Sequence, residues 1–342
     1  MTTSEKRATL KDVALAAGVS VGMASRVLGE YGSYSQDTRE RVTKAARELG
    51  YRANALARSL RTGRAKVIGV TVTNIASYHW ITFIRGAEAA AASHGYQLIL
   101  GHTGDDPGRE REHIRALHER GVDGLILTPT SENEDRIREL VEARFPVVLV
   151  ESSMANIDTP RINIADHRAA FEATSYLLSL GHRRIGMVAG EQTLSSGVDR
   201  LRGYLDALKE RGIEPDESLI GHGEYRYDLA YAATDRLMTM ASPPTALLIS
   251  NEMMLGAALQ CLKELRIRIP EDVSLVSFDD PPWAAFFTPG LTTIRTPRDR
   301  MGSMAVNTLM TMIDAGGRRA GSSEERIVQS ELVLRESCRV VD

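Results

Sequence analysis

Apolar positions in this chain follow a helical spacing near the N-terminus and change to short continuous runs from about residue 66. Between Thr9 and Leu28, Leu10, Val13, Ala14 and Ala17 fall at i, i+3, i+4 and i+7, one apolar face of a helix. Thr9 predicts the N-cap of that helix, and Asp12 three residues on approximates a capping box. Gly18 predicts a tight turn, because glycine enters the left-handed region without steric cost. Ser20 then caps a second helix with Ala24, Val27 and Leu28 facing inward, so that Val21, Gly22, Ser25 and Arg26 face out. A third helix is expected over about residues 35–49, with Val42, Ala45, Ala46 and Leu49 inside and Gly50 as its stop. Asn54 heads a further two helical turns ending at Gly63, too short to persist alone in water.

Beyond Lys66 the runs Val67–Val72, 97–101, 124–128 and 146–150 predict strands, with helices over 83–94 and 109–120 between them. The alternation restarts at 184–190 and continues through 246–250 and 273–278. Continuous apolar strands separated by helices imply parallel sheets covered on both faces. The expected fold class is therefore α/β: an all-α helix-turn-helix head followed by two doubly wound parallel subdomains. Ligands of such sheets bind beyond the carboxyl ends of the strands, here in a cleft between two lobes. The expected boundaries are 8–53 for the head, 54–65 for a hinge helix and linker, and 66–342 for the body. Within the body, about residues 66–181 and 295–325 would form one subdomain, and about 182–294 with 326–342 the other.

Charge sharpens this division. The net charge of −3 over 342 residues is made of +7 in residues 1–66, from 13 Lys/Arg against six Asp/Glu, and −10 in the rest. A basic head on an acidic body fits a nucleic-acid-binding module joined to a part that need not touch phosphate. No apolar run approaches the ~20 residues that span a bilayer, and the first dozen residues lack a signal-peptide pattern, so a cytoplasmic protein is expected. Cys261 and Cys338, without metal-ligand spacing, read as reduced structural thiols. No nucleophile elbow between a strand and a helix, phosphate-binding Gly-Lys-Ser/Thr loop or metal-spaced His/Cys cluster is present, which argues against an enzyme. No cofactor or metal is expected.

Several motifs in order carry a resemblance: Leu10-Lys-Asp-Val-Ala, Ala17-Gly-Val-Ser, Ser25-Arg-Val-Leu, Glu48-Leu-Gly-Tyr and Asn54-Ala-Leu-Ala-Arg-Ser-Leu-Arg-Thr-Gly near the N-terminus. In the body, Gly121-Val-Asp-Gly-Leu-Ile, Leu180-Gly-His-Arg-Arg-Ile-Gly, Arg200-Leu-Arg-Gly-Tyr, Phe278-Asp-Asp and Leu291-Thr-Thr-Ile continue it. Together they resemble the LacI/GalR family of transcriptional regulators over essentially the whole chain. The resemblance implies a homodimer that binds a palindromic double-stranded operator and a small effector, often a sugar, that changes DNA affinity. No heptad-rich tail follows Arg339, so a dimer is the expected assembly.

On this resemblance Thr9, Ser20, Val21, Gly22, Ser25 and Arg26 are expected at the DNA, with Arg26 suited to a guanine edge and Ser25 to a phosphate. Asn54, Ala57, Arg58 and Leu60 are expected there as well. Leu60 would be a minor-groove wedge, or else Leu56 and Leu60 form an apolar stripe against the body. Val21 and Gly22 lack the bulky or polar side chains common at those positions, so the operator cannot be inherited from relatives. Effector-contact positions map to His79, Trp80, Asp166, Ser196, Arg200, Tyr225, Asn251 and Asp279. Trp80 and Tyr225 would stack on a ring, and Asp166, Arg200, Asn251 and Asp279 would bind hydroxyls. The effector is expected to be a neutral or mildly acidic sugar derivative. A co-repressor-dependent or activating regulator, or a sugar-binding protein without a regulatory role, are the alternatives.

Overall fold

A computed structural model describes residues 8–29, 31–51, 63–154, 156–316 and 324–341. The chain divides into two compact units, the residues up to Val67 with Gly121–Asp123, and Ile68–Arg120 with Gly124–Asp342.

In the first unit, α1 (Leu10–Ala16), α2 (Val21–Leu28) and α3 (Gln36–Glu48) enclose a small core of Val13, Ala14, Ala17, Ala24, Val27, Val42, Ala45 and Ala46. Local chemistry sets every boundary. The Thr9 hydroxyl accepts from the Asp12 amide at 3.3 Å while the Asp12 carboxylate accepts the Thr9 amide at 2.8 Å, a closed capping box. Gly18 turns the chain at φ +64, and the Ser20 hydroxyl accepts the Met23 amide at 3.1 Å. Residues 18–22 thus carry a Gly-x-Ser-x-Gly spacing, but Ser20 stands between two helices as a cap and not as a nucleophile. Leu49, expected inside, is the C-cap of α3 and 41% exposed, because the apolar face ends one turn earlier at Ala45 and Ala46.

The second unit holds two lobes with one topology. In the first lobe β1 (Val67–Val72), β2 (Gln97–His102), β3 (Leu125–Leu127), β4 (Val147–Val150) and β5 (Arg161–Ile164) alternate with α4 (Tyr78–Ser93), α5 (Pro107–Glu119) and α6 (Glu134–Glu142). In the second, α7 (Asp166–Ser179) leads into β6 (Ile185–Ala189), α8 (Ser195–Glu210), β7 (Ile220–His222), α9 (Tyr227–Met238), β8 (Ala246–Ile249), α10 (Glu252–Glu264), β9 (Ser274–Phe278) and β10 (Thr292–Arg295). The chain then returns to the first lobe as α11 (Arg298–Asp314) and β11 (Glu325–Val328), and ends in the second as β12 (Glu331–Val333). The sheet orders are β2-β1-β3-β4-β5-β11 and β7-β6-β8-β9-β10-β12. All described pairings are parallel except that of β12 with β10. Each order reverses beside its first strand, between β1 and β3 or between β6 and β8, which is where an open α/β sheet forms a binding crevice.

This hand-over corrects the expected subdomain boundaries. Residues 166–179 belong to the second lobe, since Ala169, Ala170, Ala173, Leu177 and Leu178 pack with β6, β8 and β9, and β11 belongs to the first. The crossings therefore lie near residues 165, 296 and 329, against about 181, 294 and 325 expected, so the first is the one that moves substantially. Helix α4 begins five residues earlier than the apolar pattern predicts, and the reason lies across the cleft: the Glu252 carboxylate accepts the Tyr78 amide at 2.9 Å and the Ser77 hydroxyl at 2.7 Å. Asp106 similarly caps α5, with Pro107 in its first turn. Helices α4 and α11 cross at glycines: a Cβ on Gly86 would stand 2.0 Å from the Asp299 carbonyl oxygen, and one on Gly302 would stand 2.2 Å from that of Phe83.

Candidate functional site

Two places in the molecule collect the residues expected to act. On the head, α2 exposes Val21, Gly22 and Arg26, with Ser20 and Thr9 also exposed at helix N-termini. Ser25 differs from the expectation of an outward residue: it is half-buried and its hydroxyl shares a 3.1 Å hydrogen bond with that of Tyr31. The face thus offers an apolar methyl pair, open backbone and one guanidinium to whatever it meets. Asn54, Ala57, Arg58 and Leu60, with the expected hinge helix, lie outside the described residues.

In the body, a cavity of about 120 Å³ opens between the lobes at both sheet reversals. Thr73 and Asn74 follow β1, Thr128 follows β3 and Glu151 follows β4; Tyr225 comes after β7 and Asn251 two residues after β8. Six of the eight expected effector positions line it, namely His79, Trp80, Ser196, Arg200, Tyr225 and Asn251. Asp166 and Asp279 do not line it. They stand behind it and hold the residues that do.

Arg200 is the centre of the second lobe's wall. Its Nε donates to Asp166 Oδ1 at 2.7 Å, Nη1 donates to the Ser250 carbonyl, and the guanidinium carbon lies 4.1 Å from the centre of the Phe278 ring. The side chains of Arg200 and Asp166 are only 3% and 7% exposed. Burial works against the arginine's charge, but Asp166, with Tyr225 and Asp279 nearby, holds it fully protonated. Tyr225 sits at φ +53 after Glu224 at φ +49, a left-handed pair that swings the ring over Gly190, where a Cβ would come within 2.2 Å of it. Its hydroxyl shares a 3.0 Å hydrogen bond with that of Ser196. Asn251 caps α10 by accepting the Met254 amide at 2.9 Å.

From the first lobe, Trp80 is both core and wall: it is 4% exposed, packs edge-on to Phe83 and donates Nε1–H to the Thr73 hydroxyl at 2.9 Å. Its ring is fixed before any ligand arrives. His79 joins the lobes, with Nε2 3.1 Å from Glu151 and Nδ1 3.6 Å from Asp279. Burial and the neighbouring Arg298 lower its pKa against the pull of Asp279, which favours the neutral ring. Burial alone would raise Asp279, but the His79 ring facing it and the charge of Arg200 hold it down at about 2. Glu252 is the opposite case, pushed up to about 7 by burial and then by the charge of Asp279.

Sequence reasoning missed Glu151, Glu252 and Arg298. Glu151 ends an apolar strand, so the carboxyl-end rule could have found it. Arg298, which pairs with Glu151 from behind the cavity, carried no such signal. His182, in contrast, is a buried structural residue, bonded to the hydroxyls of Thr245 and Ser274 at 2.8 and 2.9 Å. Cys261 and Cys338 are free thiols. Among the described residues no cluster of metal-ligating side chains occurs, and no helix is long and apolar enough to cross a membrane.

Residues 9–54 match the family described as bacterial regulatory proteins, lacI family, and residues 174–338 match the periplasmic binding protein-like domain. The HTH-type transcriptional repressor CytR of Escherichia coli (strain K12) is 34% identical over 337 residues, 98% of this chain and 98% of that protein. The chain belongs to the LacI family. Among similar solved structures, the Lac repressor dimer bound to operator and the anti-inducer ONPF is 25% identical, with a TM-score of 0.86 over 98% of this chain and 100% of that one. The complex of the transcriptional regulator CelR with cellobiose is 30% identical, with a TM-score of 0.71 over 97% and 100%. As a LacI-family protein, the chain is a transcriptional regulator and not an enzyme.

Proposed function

We propose that this regulator binds a palindromic operator as a homodimer and that a small molecule in the interlobe cavity modulates that binding. The observation that carries the reading is the cavity itself: it lies at the reversal point of both sheets and gathers six of the eight residues expected there. The head would read DNA through Arg26 and Val21, with Thr9, Ser20, Gly22 and Ser25 at or near the backbone. Asn54, Ala57, Arg58 and Leu60 would add hinge contacts. In the body, Trp80 and Tyr225 would face a ring, while Arg200, Asn251, Ser196 and His79 would meet its polar groups. Asp166 and Asp279 would act by holding Arg200 and His79 in place. Cellobiose in the CelR structure supports a sugar or sugar derivative as the effector. An effector shifts the DNA-binding balance only by its differential affinity for the two states.

The test is operator selection from random palindromes, followed by fluorescence anisotropy with and without compounds that raise the melting temperature of the body. A regulator of this kind shows a steep salt dependence on its selected sequence and an affinity changed by a cavity ligand. Ligand binding with no change in DNA affinity would refute the coupling.

A further inference from the structure

The cavity continues outward into a second of about 400 Å³ that shares Asp105, Glu151, Ser195 and Tyr225 with it and forms the mouth of the cleft. Floor and mouth together present the carboxylates of Asp105, Glu132, Glu151, Glu191, Glu224 and Glu252. The guanidiniums facing the same space, Arg200 and Arg226, are engaged by Asp166 at 2.7 Å and by Asp228 at 2.8 Å. Arg298 offsets Glu151 from behind, and Arg109 approaches Gly104 at the outer rim. Among the described residues this lining therefore holds more carboxylates than guanidiniums. Among them Glu252 has Oε1 held by Ser77 and Tyr78 while the buried Oε2 has no hydrogen-bond partner. A crevice of one sign between low-dielectric walls concentrates its field on whatever enters.

Resting on the effector-site reading above, we propose that the cleft selects for a ligand without phosphate or carboxylate: an uncharged or cationic molecule, rich in hydrogen-bond donors, with one donor set against Glu252. Above about pH 7, where Glu252 is ionised, its Oε2 accepts hydrogen bonds and gives none, so hydroxyl, amide or amino groups satisfy it and an anionic oxygen leaves it repelled. The same lining argues against the acidic half of the expected effector class. A phosphorylated sugar or a nucleotide would be disfavoured twice, at the mouth by the field and on the floor by unpaired acceptors. Discrimination against the anionic member of a matched pair is expected to be at least about a hundredfold.

Two measurements test this. The first replaces Thr193, beside Glu191 in the mouth, with cysteine in a Cys338→Ser background, and compares the rates of a cationic and an anionic methanethiosulfonate reagent. Relative to free 2-mercaptoethanol, the cationic reagent is expected to be favoured by about tenfold or more at low ionic strength, an advantage lost near 0.5 M salt. A ratio equal to or below that of the free thiol overturns the proposal. The second follows melting temperature with glucose against glucose 6-phosphate and gluconate, ribose against ribose 5-phosphate, and adenosine against AMP, in the wild type and in Tyr225→Ala. An anionic compound that stabilises the wild type and not Tyr225→Ala overturns the charge selection while leaving the effector site standing. A compound whose shift survives in Tyr225→Ala faults the effector-site reading instead. Should none of these compounds bind, the thiol rates alone decide.

Discussion

Asp166 and Arg200 form a pair whose removal has a calculable cost. Substituting Asp166 with asparagine keeps the shape and removes the charge, leaving the Arg200 guanidinium 3% exposed and without its 2.7 Å carboxylate partner. Breaking a buried pair from one side costs about 3–5 kcal/mol, because the remaining charge has lost its compensation. Here the lower end applies, since the Ser250 carbonyl and the Phe278 ring still face the guanidinium. The second unit spans Ile68–Arg120 and Gly124–Asp342, and with about 2.1 cal/mol/K of unfolding entropy per residue about 3 kcal/mol corresponds to a fall of roughly 5 °C in its melting temperature. Differential scanning calorimetry of the full chain measures it directly. Replacing both residues by apolar ones, Asp166→Leu with Arg200→Met, should recover most of the loss, because an apolar pair carries no desolvation penalty. It should also abolish effector binding, since the guanidinium is gone from the wall. If Asp166→Asn melts within about 1 °C of wild type, the pair contributes far less than buried geometry implies and the argument fails.

Three further outcomes follow from the same geometry. The carboxyl of Glu252, raised from 4.5 to about 7 in the folded chain, binds its proton more tightly folded than unfolded; its stabilising effect is present at low pH and is lost as pH rises from 4.5 through 7, by roughly 3 kcal/mol. Glu252→Gln should therefore flatten the stability profile between pH 5 and 8, and parallel profiles for the two proteins would sink the assignment. Gly190→Ala places a Cβ about where the Tyr225 ring now lies, so effector affinity should fall by roughly tenfold or more as the ring is displaced, as titration calorimetry would show. On the head, Arg26→Ala should lower discrimination between the selected operator and single-base variants by about 1–3 kcal/mol, whereas Ser20→Ala should cost about 1 kcal/mol of head stability through its lost cap. Anisotropy competition and thermal melts separate the two effects.

What could be read in advance from the chain depended on how local the cause was. The starts of the first two helices were legible because a capping box at Thr9, a left-handed turn at Gly18 and a cap at Ser20 act within a few positions of themselves, whereas Leu49 and Ser25 took other environments than expected. Long apolar strands such as 67–72 and 246–249 were legible for the same reason. The short strand Arg161–Ile164 and the earlier start of α4 were not, since the first is completed by β11 from far along the chain and the second by Glu252 from the opposite lobe. The site divided likewise. Motif positions pointed to Arg200, Tyr225 and Asn251, while the supporting roles of Asp166 and Asp279 emerged only from three-dimensional packing behind the wall. Glu252 was visible as a neighbour of Asn251, but nothing in the sequence revealed that its carboxylate caps a helix on the other side of the cleft.

The interleaved route of the chain also bears on how the protein is made. Both sheets take an edge strand from residues 325–333, β11 in one and β12 in the other. Translation runs from the N-terminus and domains fold as they emerge, so the head can form while the body still lacks both edges. A message cut short near its 3′ end would then release a head joined to two unfinished sheets with exposed strand margins, which are templates for aggregation. Completion of the last segment is thus a single checkpoint for both lobes. A frameshift there should remove the protein from the cell's soluble pool instead of leaving an unregulated DNA binder behind.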